Sequence, residues 1–381
     1  MRRRTLLSTG AAAIVVAGGG WAMTRAPRKA RAPWREAEDG FGDIRLDALA
    51  YAILAPNPHN MQPWMARLDD DNGVTIFCNT DRLLPHTDPP SRQITIGFGC
   101  FLELLRQAAA ENGWRTDVTP FPEGEPIPRL DERPVAHIAF VEDGAVRPDP
   151  LFSEALARRT NRTPFDTEKQ IATADLAKIA LAADNRVIAQ TIADDDRITR
   201  LRKLTADAWR TEWSTLGPRR ESIAVTRVGK KQINEAPWGL ALSGAAIEAV
   251  AAAGMLTPEK LDDATSTAYA QSIEGYVGAC ETAMAYAVIK TRTNTRRDQL
   301  AAGAAWIRMQ LAAKARGVAF HPLSQALQEF PEMAEHYRRA HEILGADNGE
   351  TVQMLSRLGF APAPSPAPRE TLASKLINAA G

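Results

Sequence analysis

The sequence is short of the side chains that usually announce a chemistry. It has three cysteines, six histidines and 6% aromatic residues in 381 positions. Cys78, Cys100 and Cys280 are far apart and form no Cys-x-x-Cys pair, which removes the common zinc and redox spacings. Buried thiols are expected; one disulfide could form in an oxidising compartment, but spacing does not place it. His-Glu-x-x-His is absent, and His336 and His341 are five apart, off a shared helical face, so no metal is expected. Gly-x-Ser-x-Gly is absent too, leaving no support for a serine hydrolase elbow. Neither charge is in excess: 46 Lys and Arg balance 46 Asp and Glu, so nothing points to nucleic acid as a partner. IGFGCF at 96–101 has Gly-x-Gly without a third glycine; its glycines suit close helix packing better than a dinucleotide loop.

What is present begins with the first residues, MRRRTLLSTGAAAIVVAGGGWAM. Arginines followed by a Gly/Ala-rich apolar stretch form a targeting segment, set apart from the fold. Arg3-Arg4-Thr5-Leu6-Leu7 resembles a twin-arginine export signal, with a Sec signal or single anchor as the alternatives. Residues 1–32 are read as signal and linker, with the twin-arginine export machinery as partner. The expected location is the periplasm or, if the segment stays as an anchor, the outer face of the inner membrane. Ala30-Arg31-Ala32 is a late candidate cleavage site, and cleavage itself stays open.

The remaining chain, 45% hydrophobic overall, can bury a substantial core in one large or two smaller domains. It carries a weak internal repeat. QITIGFGCFLELLRQAAAENGW at 93–114 and DQLAAGAAWIRMQLAAKARGV at 298–318 both start on small residues, run at helical spacing and close on a glycine. Both are apolar over much of their circumference, which predicts central, buried helices. Strands are predicted at 74–79, 116–122, 134–142, 186–192, 285–291 and 318–325, with helices at 45–54, 173–183, 197–212 and 333–344. Without a regular βαβ alternation the class is α+β. The halves fall at 40–150 and 151–381, the second enlarged by a helical insert at about 209–275 that would cover a site or add core.

Two motifs carry chemistry. APNPHNMQPW at 55–64 sets amide side chains on a Pro-stiffened corner, and LARRTNRTPF at 156–165 offers three guanidinium groups and a hydroxyl within five residues. Together they resemble the nitroreductase family of flavin enzymes, in the fused two-domain Acg-type branch. Ala55, Pro56, Asn60, Gln62, Pro63 and Trp64 match the family's Asn-x-Gln-Pro-Trp segment. Arg158, Thr160, Arg162 and Phe165 match its basic segment, with Thr in place of Ser. The first motif occurs only in the first half and the second only in the second half. The resemblance therefore implies a nitroreductase-like pseudo-dimer within one chain, a monomer holding one composite FMN site.

That likeness further implies cofactor contacts from Pro56, Asn57, Pro58, Asn60 and Gln62, from Arg158, Arg159, Thr160 and Arg162, from Pro322, Leu323, Ser324 and Gln325, and from Arg369. The Arg158/Arg162 pair would anchor the phosphate, and the corner's amides would pack on the flavin. His59 is expected to face the surface, with a proton or hydrogen-bond role as the alternative. The implied activity is electron transfer from a small-molecule donor through FMN to a nitro-aromatic or quinone-like acceptor, with no residue acting as a covalent nucleophile. The alternative is a flavin-sequestering or storage protein with a lidded site.

Overall fold

The structure is a computed structural model that describes residues 25–70, 72–347 and 349–378; the arginine-led segment through residue 24 lies outside them. The first half runs α1 (Pro33–Asp39), α2 (Ile44–Ala52), β1 (Trp64–Leu68), β2 (Gly73–Cys78), α3 (Arg92–Glu111), β3 (Trp114–Pro120) and β4 (Ala136–Glu142). The second runs α4 (Thr173–Leu181), β5 (Ile188–Ile192), α5 (Asp195–Ser214), α6 (Leu216–Ala224), β6 (Thr226–Val228), α7 (Gly229–Glu235), β7 (Leu240–Leu242), α8 (Ala245–Ala252), α9 (Pro258–Asp262), α10 (Thr267–Glu281), β8 (Ala285–Thr291), α11 (Arg296–Lys314), β9 (Ala319–Pro322), α12 (Ala334–Ile343) and β10 (Thr351–Gly359).

The two sheets have the same topology. One is ordered β1-β2-β4-β3 and the other β5-β8-β10-β9, every neighbour antiparallel, each with its long helix between the second and third strands in sequence. The repeat in the sequence is thus a repeat of architecture, a pseudo-dimer of α+β halves. They differ in one hairpin. β1 and β2 are joined by a short turn, whereas residues 193–284 intervene between β5 and β8. This interruption is wider at both ends than the 209–275 insert and includes α5, which packs into the second half's core through Leu201 and Leu204. It also holds a small parallel sheet, β6-β7.

The centre of the molecule is the crossing of α3 and α11. Every residue of α3 except Arg106 and Glu111 is buried. The helices meet at glycines: a Cβ on Gly99 would lie 2.1 Å from the Leu300 carbonyl oxygen, and one on Gly303 would lie 1.9 Å from that of Ile96. The Cys100 thiol donates to the Gly303 carbonyl, 3.2 Å away. The close-packing role expected for the 96–101 glycines is what Gly99 performs. Each helix ends as its closing glycine predicts, Gly113 and Gly317 having φ of +78° and +68°. At its start, α11 has a capping box between Thr295 and Asp298.

The C-terminal tail returns to the first half, where Leu376 bridges to Ala66 at β1 and the Ile377 N–H donates to the Ala66 carbonyl at 2.9 Å. Cys78, Cys100 and Cys280 are buried free thiols. The backbone contact at the crossing has no side chain that can yield. Gly99→Ala and Gly303→Ala are therefore each expected to cost about 3 kcal/mol or more. Gly144→Ala, at a glycine with open space around it, should be near neutral by urea denaturation.

Candidate functional site

The corner after α2 is unusual backbone. His59, Asn60 and Gln62 all have positive φ, at 48°, 55° and 50°, a region costly for side-chain-bearing residues. The amides of this corner hold it in place. Asn57 accepts from the Gln62 N–H at 2.8 Å through Oδ1 and donates to the Ala55 carbonyl through Nδ2. Gln62, fully buried, donates to the Pro237 carbonyl at 2.8 Å and accepts from the Glu370 N–H at 2.9 Å. Asn60 donates to the Gly239 and Pro368 carbonyls and accepts from Arg369 at 2.7 Å. Pro56 is buried, and Asn57 and Pro58 lie against Gly97 of α3. The amides of Asn57, Asn60 and Gln62, which the resemblance directs at a flavin, join the corner to itself, to the insert and to the tail.

Arginines gather beside the corner. Arg158 donates to the Leu54 carbonyl at 3.0 Å and to Gln310 Oε1 at 3.2 Å. Arg369 donates to the same Leu54 oxygen at 2.9 Å and to that of Ala55 at 3.0 Å. Sharing one acceptor makes the two guanidinium groups neighbours, at the carbonyl end of α2 where cations are favoured. Both are buried, and burial first, then the neighbouring arginines, lowers both pKa values, to about 10 for Arg158 and about 9 for Arg369. No carboxylate acts on either one; the buried Cys100 thiol alone opposes the lowering at Arg158. Arg159 donates to the Leu156 and Arg158 carbonyls. The Trp34 ring centroid lies 5.9, 4.7 and 5.7 Å from the guanidinium carbons of Arg158, Arg159 and Arg369.

Thr160 bridges to Phe320, and the Asn161 N–H donates to the Phe320 carbonyl at 3.0 Å, so the basic segment runs alongside β9. Arg162 is exposed and stands apart from the arginine cluster, since its charge acts instead on His59, Tyr276 and His321. The guanidinium that shares an acceptor with Arg158 is that of Arg369, whereas Arg162 of the expected pair lies away from both. Past Pro322, the Leu323 N–H joins the sheet through Leu355, the Ser324 carbonyl caps a short turn, and Gln325 Oε1 accepts from the Tyr276 hydroxyl at 3.0 Å.

The insert closes on this region. His59 is half-buried, not surface-facing, and its Nε2 is 2.9 Å from the Ser222 hydroxyl. Burial lowers its pKa to about 4, leaving a neutral ring. Glu212 is buried and accepts from Gln328 at 2.9 Å; burial pushes its pKa up to about 7 against hydrogen bonds from Gln328, Gln325 and Ser222. Tyr276 stacks on Trp209 with centroids 4.1 Å apart and meets His321 edge-on. Burial raises the thiols of Cys78 and Cys280 to about 12 and 11, so neither is a ready nucleophile. A cavity of about 710 Å³ bordered by Thr80, Asp88, Ser91, Arg129 and Arg133 shares no lining residue with this site.

One end of the site is cationic and the other is neutral, aromatic and amide-rich, which suits a ligand with an anionic tail and a polar ring. Trp34, Glu212, Tyr276 and Arg357 carry no sequence signal of this role. Arg357 is buried, donates to His321 Nδ1 at 2.8 Å and to the Thr163 carbonyl at 2.7 Å, and so fixes His321 against the basic segment.

No family model matches the chain. The "Uncharacterized protein Rv3127" of Mycobacterium tuberculosis is 30% identical over 163 residues, 41% of this chain and 45% of that protein. "Putative NAD(P)H nitroreductase acg" of the same organism is 32% identical over 154 residues, 38% of this chain and 45% of the relative. The matched stretch is thus about half the length of these relatives. A third mycobacterial relative, "Putative NAD(P)H nitroreductase Rv3131", is 27% identical over 341 residues, 85% of this chain and 88% of its own. Among solved structures, a "putative nitroreductase" from Anabaena variabilis aligns with a TM-score of 0.43 at 11% identity, covering 81% of this chain and 82% of its own. NfnB from Mycobacterium smegmatis aligns at 0.35 and 16%, covering 57% and 92%. The chain is a sequence relative of nitroreductase-designated proteins along most of its length.

Glu212 gives this region a pH dependence of definite sign. Folded, it keeps its proton to about pH 7, whereas unfolded it releases it near 4.5. The folded state binds more protons in that window, so stability falls as pH rises through it. Glu212→Gln is expected to remove this slope and to exceed the native chain in stability above pH 7, by on the order of 1–3 kcal/mol. Thermal unfolding from about pH 5 to 8 measures it; parallel curves for the two proteins would contradict the assignment.

Proposed function

We propose that the chain is an exported FMN-binding oxidoreductase of the nitroreductase type, acting as a monomer because one chain carries both halves of the site. The observation that carries this reading is the Arg158–Arg369 pair, buried without a carboxylate partner. Each guanidinium leaves its Nε buried and unpartnered. A phosphate monoester fits that donor set, since charge-assisted bonds to its oxygens would offset the cost of burying the cations. The mycobacterial relatives designated NAD(P)H nitroreductases support the same class.

FMN would supply the two-electron chemistry, taking electrons from a small-molecule donor and passing them to a nitro-aromatic or quinone-like acceptor. The chain's own residues bind and orient. Arg158 and Arg369 supply the positive charge at the phosphate end, Thr160 aligns the basic segment through its bridge to Phe320 of β9, and the turn at Pro322–Gln325 presents neutral polar groups to the ring. Tyr276, Trp209 and the Ser222–His59 contact keep water from the neutral end. NAD(P)H is a cytoplasmic donor, so an exported enzyme would use another reductant.

One observation favours a second reading, flavin sequestration: the insert seals the corner through Pro237, Gly239 and Ser222. The two separate in an anaerobic cuvette. Bleaching of the flavin band by NADH or NADPH supports NAD(P)H-dependent turnover, while bleaching by dithionite alone supports sequestration or a different donor. Arg158→Ala is expected to weaken FMN retention at least about tenfold, read as flavin content after gel filtration of protein whose circular dichroism is native. Unchanged flavin content would remove Arg158 from the site.

A further inference from the structure

Within the arginine cluster, the groups with the most unused donors are not the two the flavin reading relies on most. Arg158 and Arg369 commit both terminal nitrogens to carbonyl and amide oxygens. Arg159 commits only Nη1. Arg31 makes no side-chain hydrogen bond in the described structure, and its Nε is buried and unpartnered. Arg31 is half-buried and close enough to Arg159 for its charge to lower the Arg159 pKa. Burial lowers that of Arg31 itself, and no acidic group acts on either.

Four guanidinium groups without a carboxylate are a costly arrangement. Contact with the Trp34 face returns only part of what desolvating a cation costs. An anion of about two charges placed against the free edges would reverse the balance, and planar guanidinium forks suit phosphate oxygens. The segment bearing Arg31 and Trp34 is held in place by three hydrogen bonds, two with the tail and one with the insert. The Arg369 N–H donates to the Ala30 carbonyl at 2.8 Å, Trp34 Nε1 donates to the Ala367 carbonyl at 2.8 Å, and the Ala30 N–H donates to Asn234 Oδ1 of the insert at 3.0 Å.

We propose that Arg31 and Arg159 are the direct seat of a phosphate group and that the stretch from Ala30 to Trp34, through Arg31 and Trp34, forms its cap. Identifying that phosphate as the flavin's rests on the proposed function; the seat itself does not. The cap joins the tail to the insert, so filling the seat ties three separate parts of the chain together.

The test uses the full chain with two probes, FMN by equilibrium binding and inorganic phosphate by its effect on Tm against chloride at matched ionic strength. Arg31→Gln and Arg159→Gln are each expected to weaken FMN at least about tenfold and to abolish the phosphate-induced rise in Tm. Lys29→Gln removes an equal charge from an exposed neighbour and should leave both unchanged. Wild-type behaviour of Arg31→Gln in both assays overturns the seat, as does an equal loss in Lys29→Gln. A phosphate-induced rise that needs Arg31 in a chain that binds no FMN keeps the seat and overturns the flavin reading instead.

Discussion

Backbone contact between the two central helices sets the terms for the rest of the molecule. With Gly99 and Gly303 facing each other's carbonyls, the two halves share one core and cannot part as separate domains would. Each sheet then lies outside its own helix, and the loops from both halves are forced to the same flank. The corner at 55–64 and the basic segment at 156–165, a hundred residues apart in sequence, meet there because the helices that precede and follow them are locked in one relative position. The tail and the residues ahead of α1 close over the junction, so the site is stitched from four regions of the chain.

The electrostatics follow from that meeting. Carbonyls at the end of α2 would be left without donors where the chain turns away, and the buried arginines satisfy them. The same groups carry more positive charge than carbonyls can neutralise. The site is therefore built with a surplus of one sign at its closed end, while the opposite end relies on neutral groups: an unprotonated His59, a Glu212 that holds its proton, and a Tyr276 whose hydroxyl is tied to Gln325.

Much of the frame was legible in the sequence. The central helices, their closing glycines, most strands and the like grammar of the halves follow from periodicity and turn chemistry. β10 escaped because Gln353, Ser356 and Arg357 break its apolar pattern, yet all are buried, paired with Thr291, Trp306 and His321. No local pattern reports such long-range partners. The corner and the basic segment could be singled out as motifs, but not their wiring. The partners of Asn60 and Gln62 lie in the insert and the tail, far along the chain. Arg31 was hidden differently: it falls in the 1–32 stretch set aside as signal and linker, whose last residues are folded against the tail and the insert.

The unequal hairpins carry a consequence for how the chain reaches this structure. β1 and β2 pair across a short turn, a local event, whereas β5 finds β8 only after about ninety residues have been spanned; the difference in loop-closure entropy is about 2–3 kcal/mol. Two sheets of one topology thus assemble on different schedules. The first can form as soon as its strands exist. The second depends on α5 and α10 to bring its strands together.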